Sequence, residues 1–296
     1  MRYRVSHRTV YSYDEPVTDS FGLAYLTPRS LPWQEVVSHE VTVDPEASDL
    51  AHELDYHGNL ATYFQVTERH TTLIVDALSE VTVTTPVHSD VALGGAWESA
   101  RPLLDPTLPG AWLAADFALS SASAEQTAEA KEYAAESLTR GRSIGEAATE
   151  LMTRIHRDFA YDKTATTVTS TIEDIFDKRA GVCQDFAHLT LACLRSHGLA
   201  ARYVSGYLAT EPPPGKERIV GADASHAWVA VWLPDHEGGG PGEWLAIDPT
   251  NDQWAGDRYV TVAWGRDYGD VPPVKGVIFT EAKRSTLRVE VDVAPL

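Results

Sequence analysis

Two cysteines and two methionines in 296 residues leave little sulfur to distribute. Cys183 and Cys193 are too few for a disulfide framework, and no Cys-x-x-Cys pair offers a zinc site. Eleven histidines are present, yet none forms the His-Glu-x-x-His pair that sets two zinc ligands on one helix face. The P-loop and the Rossmann glycine fingerprint are missing too, so the common nucleotide-binding motifs do not apply. Basic residues are scarce: 24 Lys and Arg against 43 Asp and Glu give a net charge of −19. Such a chain is a poor partner for nucleic acid or an anionic membrane, which need clustered cations. No apolar run approaches the about 18 residues of a spanning helix. Met1–Pro16 has no apolar stretch of the kind a signal peptide needs. These absences lead to the expectation of a cytoplasmic protein with no membrane or nucleic-acid partner, no metal and no cofactor; the oligomeric state is left open.

What is present suffices for a large core: 43% of residues are hydrophobic and 23% charged. Residues 1–90 read as β structure. Tyr3, Val5, His7, Thr9 and Tyr11 alternate with their neighbours, and Val36–Val43, Leu60–Thr67 and Thr71–Thr84 are rich in β-branched and aromatic residues. Asp55-Tyr56-His57-Gly58-Asn59 fits a hairpin turn. Strands without helices between them suggest an antiparallel sandwich or small barrel. Glycine and proline punctuate the chain after residue 90. A surface helix is expected over Ser123–Arg140, a second opening at Ser143 with capping-box spacing, a short third from Thr171, and a fourth from Cys183 to about His197, stopped by Gly198. Strands return at Ala201–Tyr207, His226–Leu233, Glu243–Ile247, Tyr259–Ala263 and Thr286–Val293, with loops at Glu211–Gly215 and Gly238–Gly240. The expected division is an N-terminal β domain over 1–90, a linker and helix over 91–142, and an α+β catalytic core with C-terminal strands over 143–296.

Chemistry concentrates in three places. Gly181-Val182-Cys183-Gln184-Asp185-Phe186 puts a thiol in the first turn of a helix, where unpaired N–H groups and the helix dipole favour a thiolate. Ser225-His226-Ala227-Trp228 opens a strand. Ile247-Asp248-Pro249-Thr250 ends another, 22 residues after His226. That spacing allows two adjacent antiparallel strands with imidazole and carboxylate side by side. Thiolate, imidazole and carboxylate are what acyl transfer from an amide needs: a nucleophile, a proton carrier, and a group that fixes the ring's tautomer.

These three segments resemble the motifs of the transglutaminase-like superfamily. With Leu26-Thr27-Pro28-Arg29, Asp55–Asn59 and Gly265–Gly276, the whole chain resembles the bacterial transglutaminase-like family that carries its own N-terminal β domain. The resemblance implies a papain-like core of helices packed on an antiparallel sheet. It also implies Cys183 as nucleophile, His226 as base and Asp248 as orienting acid, acting on peptide or isopeptide amides through a thioester. Hydrolysis is the expected outcome, with transfer to an amine as the alternative. A non-catalytic peptide-binding module is the alternative from another class.

An oxyanion also needs donors. The Cys183 backbone N–H is one, and Tyr161 is the side-chain candidate, against the plainer reading of a tyrosine at the core's edge. Asp185 is expected to favour the helix N-terminus, Cys193 to be core, and Trp228 and Trp232 to pack. Arg266, Asp267 and Tyr268 either approach the site behind Asp248 or lock the C-terminal strands.

Overall fold

The computed structural model describes residues 1–167, 169–210, 225–236 and 238–296. The Glu211–Gly215 loop expected from sequence lies outside the described residues. Along the chain the strands begin β1 (Arg2–Ala24), β2 (Gln34–Asp44), β3 (Asp49–Leu54), β4 (Leu60–Val66) and β5 (His70–Val83). Helices follow: α1 (Asp90–Gly94), α2 (Ala111–Ala114), α3 (Ala128–Ala135) and α4 (Ile144–Asp158). Then come β6 (Ala160–Tyr161), α5 (Ile172–Lys178), β7 (Ala180–Gly181), α6 (Cys183–Arg195), β8 (Ala201–Leu208), β9 (Ser225–Leu233), β10 (Glu243–Asp248), β11 (Gln253–Trp254), β12 (Tyr259–Gly265), β13 (Val274–Thr280) and β14 (Ser285–Pro295).

The N-terminal strands form one antiparallel sheet centred on β1, ordered β2-β5-β1-β4-β3. β1 is long because its two halves have different neighbours. Residues 3–12 lie between β5 and β14, and residues 20–24 between β4 and β13. The β1–β5 ladder breaks between Ser12 and Val17, where Pro16 has no N–H to donate. The sheet bends there, so that Phe64 and Val66 of β4 share an apolar cluster with Leu73, Val75 and Ala77 of β5. The arrangement is a single curled sheet. The last two strands, grouped by sequence with the catalytic core, hydrogen-bond to β1 and complete the N-terminal sheet instead. Period-2 alternation specifies a strand without naming its partner.

The second sheet is antiparallel in the order β11-β10-β9-β8-β12. On β9, Ala227, Val229, Val231 and Leu233 enter the main core with Leu189, Ala192 and Cys193 of α6, while Trp228, Ala230 and Trp232 pack in other clusters. Every residue of α6 from Asp185 to Arg195 is buried, because α3, α4 and α5 cover the side that the sheet leaves open. The helix expected over Ser123–Arg140 is only Ala128–Ala135, N-capped by Thr127, whose side chain accepts from the Ala130 N–H. Ser121 and Ala124 are tied in an isolated bridge, so the chain is turned rather than helical there.

The two sheets meet at the free edge of β12, and two buried carboxamides take the place of a neighbouring strand. Gln34 donates Nε2 to the Thr261 carbonyl at 2.7 Å and accepts from the Thr261 N–H at 2.8 Å. Asn59 does the same at Trp264, donating to its carbonyl at 2.8 Å and accepting from its N–H at 2.9 Å. An edge strand buried between domains has to have its polar groups paired somewhere. Here the pairing also joins the domains, and the apolar core runs across them through Tyr3, Val5, Val81 and Val83.

Candidate active site

Cys183 is the first residue of α6, half-buried at the margin of the main core. The start of the helix is fixed by Asp185, which is 3% exposed. Its Oδ2 accepts from the Val182 N–H at 2.8 Å and from the Thr166 hydroxyl at 2.5 Å. Val182 has no side-chain acceptor, so this helix is capped from inside, by a residue one turn on reaching back. Gly181 makes room for that carboxylate: a Cβ there would stand 2.8 Å from both Cβ and Oδ2 of Asp185. Gly181 pairs in parallel with Tyr161 across β7 and β6, which brings Tyr161 beside the helix start.

His226 is the second residue of β9, and Asp248 ends the antiparallel neighbour β10. Their side chains meet, with the His226 Nε2 2.7 Å from the Asp248 Oδ2. Nε2 being engaged, Nδ1 is left for the Cys183 thiol, which lies near enough to help raise the ring's pKa. Asp248 has no exposed surface. Five hydrogen bonds converge on its carboxylate: from His226 Nε2, from Asn251 Nδ2 and the Tyr259 hydroxyl at 2.7 Å each, and from the backbone N–H groups of Thr250 and Asn251. Tyr259 is itself oriented by Gln253, which donates to its oxygen at 2.6 Å.

The electrostatics follow from this packing. Burial by itself would push a carboxyl up, but the His226 hydrogen bond and charge, with Asn251 and Tyr259, hold Asp248 below its ordinary value. Burial would likewise push His226 down; the Asp248 carboxylate and the Cys183 sulfur prevail and raise it to about 10. Tyr259 is raised by burial and by the same carboxylate, and so stays a donor. Burial and the neighbouring Cys183 also push Tyr161 up. The other thiol is different: Cys193 is enclosed in apolar surroundings, and burial drives its ionisation well up.

The three residues singled out by motif are therefore in one place, with Tyr161 at its rim, where it is 52% exposed. Trp228 is buried against His226 and Tyr259, with ring centroids 6.0 and 5.2 Å away. Arg266, Asp267 and Tyr268 turn to other tasks. Arg266 pairs with Asp270, Asp267 accepts from the Ser123 N–H, and the Tyr268 N–H meets His188 of α6. Asn251 and Tyr259 were not singled out by sequence. The Asp248-Pro249-Thr250-Asn251 turn, where an aspartate ending a strand accepts from backbone N–H groups two and three residues on, is a local signal for the turn itself, and nothing local marks Tyr259.

Comparison with known proteins agrees with this architecture. Residues 3–82 match the bacterial transglutaminase-like N-terminal region, and residues 131–249 match the transglutaminase-like superfamily. The chain belongs to the transglutaminase-like superfamily, in the bacterial family with its own N-terminal region. An uncharacterised protein of Mycobacterium tuberculosis is 47% identical, over 99% of this chain and 93% of that one. A protein-glutamine gamma-glutamyltransferase of Pseudomonas aeruginosa is 37% identical over 98 residues, 32% of this chain but 14% of its own length. Among solved structures, a proposed cysteine protease from Cytophaga hutchinsonii superposes with a TM-score of 0.73 at 17% identity, covering 99% of this chain and 97% of that one.

Proposed function

We propose that this protein is a cysteine-dependent amide hydrolase acting on peptide or isopeptide bonds through a thioester. The observation that carries the reading is the His226 ring, held at Nε2 by the enclosed Asp248 carboxylate and turned toward the thiol of Cys183. In this reading Cys183 Sγ, as thiolate, attacks the amide carbonyl carbon. The carbonyl electrons move to oxygen, where the Cys183 N–H, unpaired at the first turn of the helix, is a donor in place. Tyr161 is the proposed second donor. The His226 imidazolium gives its proton to the nitrogen, the C–N bond breaks, and the amine leaves a thioester. Neutral His226 then takes a proton from water, which attacks the thioester; the acid departs and the thiol is restored. Asp248 keeps the ring in one tautomer throughout.

Water requires no binding site of its own, so hydrolysis asks least of these residues. Transfer to an amine would use the same acyl-enzyme, and the named activity of the Pseudomonas relative favours keeping it as the second reading. The two are separated by incubating a peptide library with and without a primary amine and following products by mass spectrometry. A free acid in both conditions marks hydrolysis, and a mass gain equal to the amine minus ammonia at glutamine marks transfer. Cys183→Ala is expected to bring either to background. Unchanged turnover in that variant would refute the proposal. A third outcome, binding of peptide with no product and no alkylation of Cys183 by iodoacetamide below neutral pH, would mark a binding module.

A further inference from the structure

On the sheet face that carries His226 and Trp228, the other end of β8 buries a cation without a counterion. Arg202 is 6% exposed. Its guanidinium carbon lies 3.5 Å from the centroid of Trp264 and 4.1 Å from that of Trp244. Both faces of the guanidinium are thus occupied by indoles, which leaves only its in-plane N–H fork for a partner. Among the described residues Arg202 has no carboxylate partner, and its enclosed Nε is without an acceptor. A second arginine, Arg29, stacks on Trp264 at 3.6 Å, and like charge on that side adds to the positive potential. Burying an arginine unpaired costs several kcal/mol. Arginines buried for structure have their N–H groups satisfied. In the same protein Arg195 donates to the carbonyls of Phe117, Ala201 and Arg266.

Arg202 lines a cavity of about 360 Å³ with Trp244, Trp264, Trp112, Phe117 and Asp116. We propose that this cavity binds an amino-acid- or dipeptide-sized ligand through its α-carboxylate, which the Arg202 fork takes in the plane between the two indoles. A planar, two-oxygen acceptor matches that fork bidentately. Asp116 decides between anions. Its carboxylate, oriented by the Tyr56 hydroxyl at 2.7 Å, repels a dianionic phosphate and attracts an ammonium, so a zwitterion fits both ends. Trp112 and Phe117 offer apolar surface to a side chain. Arg202 and Gly206 are four residues apart on β8, and Gly206 pairs with His226. The cavity is therefore about 13 Å from the candidate triad along the strand, and the proposal does not depend on Cys183.

The test is titration of the full chain, followed by tryptophan fluorescence and calorimetry, since three indoles line the cavity. Glycyl-leucine and leucine are the probes, with glycyl-leucinamide and inorganic phosphate beside them, and the series is repeated in Cys183→Ala so that turnover does not imitate binding. Saturable binding of the free acids is expected, with the amide at least about tenfold weaker. Arg202→Lys keeps the charge but loses the fork, and should weaken the free acids by at least about tenfold and so narrow their advantage over the amide. Trp112→Ala is the second variant; Trp112 is 78% exposed, so its loss should weaken binding with the fold intact. A preference for leucine over the dipeptide identifies a free amino acid, and the reverse a peptide end. Equal affinity for acid and amide, tighter binding of phosphate, unchanged affinity in Arg202→Lys, or no saturation up to about 10 mM would each overturn the proposal.

Discussion

Asp248 is an ionised group with no exposed surface, and its charge is tolerable because donors surround it. That makes the site's pH behaviour a property of the pair. His226 is held up to about 10, so its imidazolium contributes stability in full below the ordinary histidine value and loses that contribution as pH rises through about 10. Asp248 is held down, so its contribution is present above its ordinary value and lost as pH falls through the lowered one. The urea midpoint of the protein should therefore decline as pH rises from the ordinary histidine value of 6.5 to about 10, and His226→Gln should flatten that decline. If the two curves run parallel, the coupling is absent. Tyr259→Phe removes one of the three donors on Oδ2 while keeping the ring against Trp228. A cost of about 1–3 kcal/mol is expected, and the acid limb of stability should move to higher pH because a carboxylate with fewer donors protonates earlier. Cys183, His226 and Asp248 were legible because each sits in a local pattern that its chemistry dictates. Tyr259 and Asn251 were not, because what matters in them is which atom they face after the turn at Pro249 has formed.

At the scale of the element, the start of α6 depends on a contact between neighbours in sequence. Asp185 folds back over Gly181 to hold the Val182 N–H, and Cys183 lies between them. Gly181→Ala places a methyl 2.8 Å from the Asp185 carboxylate. Because Gly181 is also tied to β6, the aspartate has to move, and the thiol moves with the helix start. Catalysis is expected to suffer as well as folding: a displacement of about 1 Å costs on the order of 100-fold in rate, about 2.7 kcal/mol of barrier, and losing one charged hydrogen bond costs about 1.5–3 kcal/mol of stability. Turnover and the thermal midpoint of the same variant decide it; a midpoint that falls with turnover unchanged would reverse the assignment. Periodicity read α4 and α6 well, since a long amphipathic helix writes its face into the sequence. It overextended α3, where alanine-rich composition favours helix but the bridge at Ser121 and Ala124 and the Thr127 cap delay its start.

At the scale of the molecule, the chain begins and ends in the same sheet. β1 is flanked by β14 along its first half and by β13 along its second, so residues 274–295 close over strands laid down at the very start. The transglutaminase-like core is inserted between them and fastened through the Gln34 and Asn59 carboxamides on β12. Neither attachment could be read from sequence, because a strand's pattern does not name its partner and a buried amide looks like any turn residue until the edge it satisfies is known. A protein tied in this way should unfold as one unit, with calorimetric and van't Hoff enthalpies in agreement. Asn59→Leu tests the fastening. Leucine is close in size but leaves the Trp264 N–H and carbonyl, the Asp55 Oδ2 and the Arg29 guanidinium without the side-chain partner that Asn59 gives them. Each buried orphan costs about 1–3 kcal/mol. A loss of that order per orphaned group, or a split into two transitions as the β domain and the core lose their connection, is the expected outcome. A single transition at the wild-type midpoint would show that the apolar contact through Tyr3, Val5, Val81 and Val83 suffices to hold the halves together.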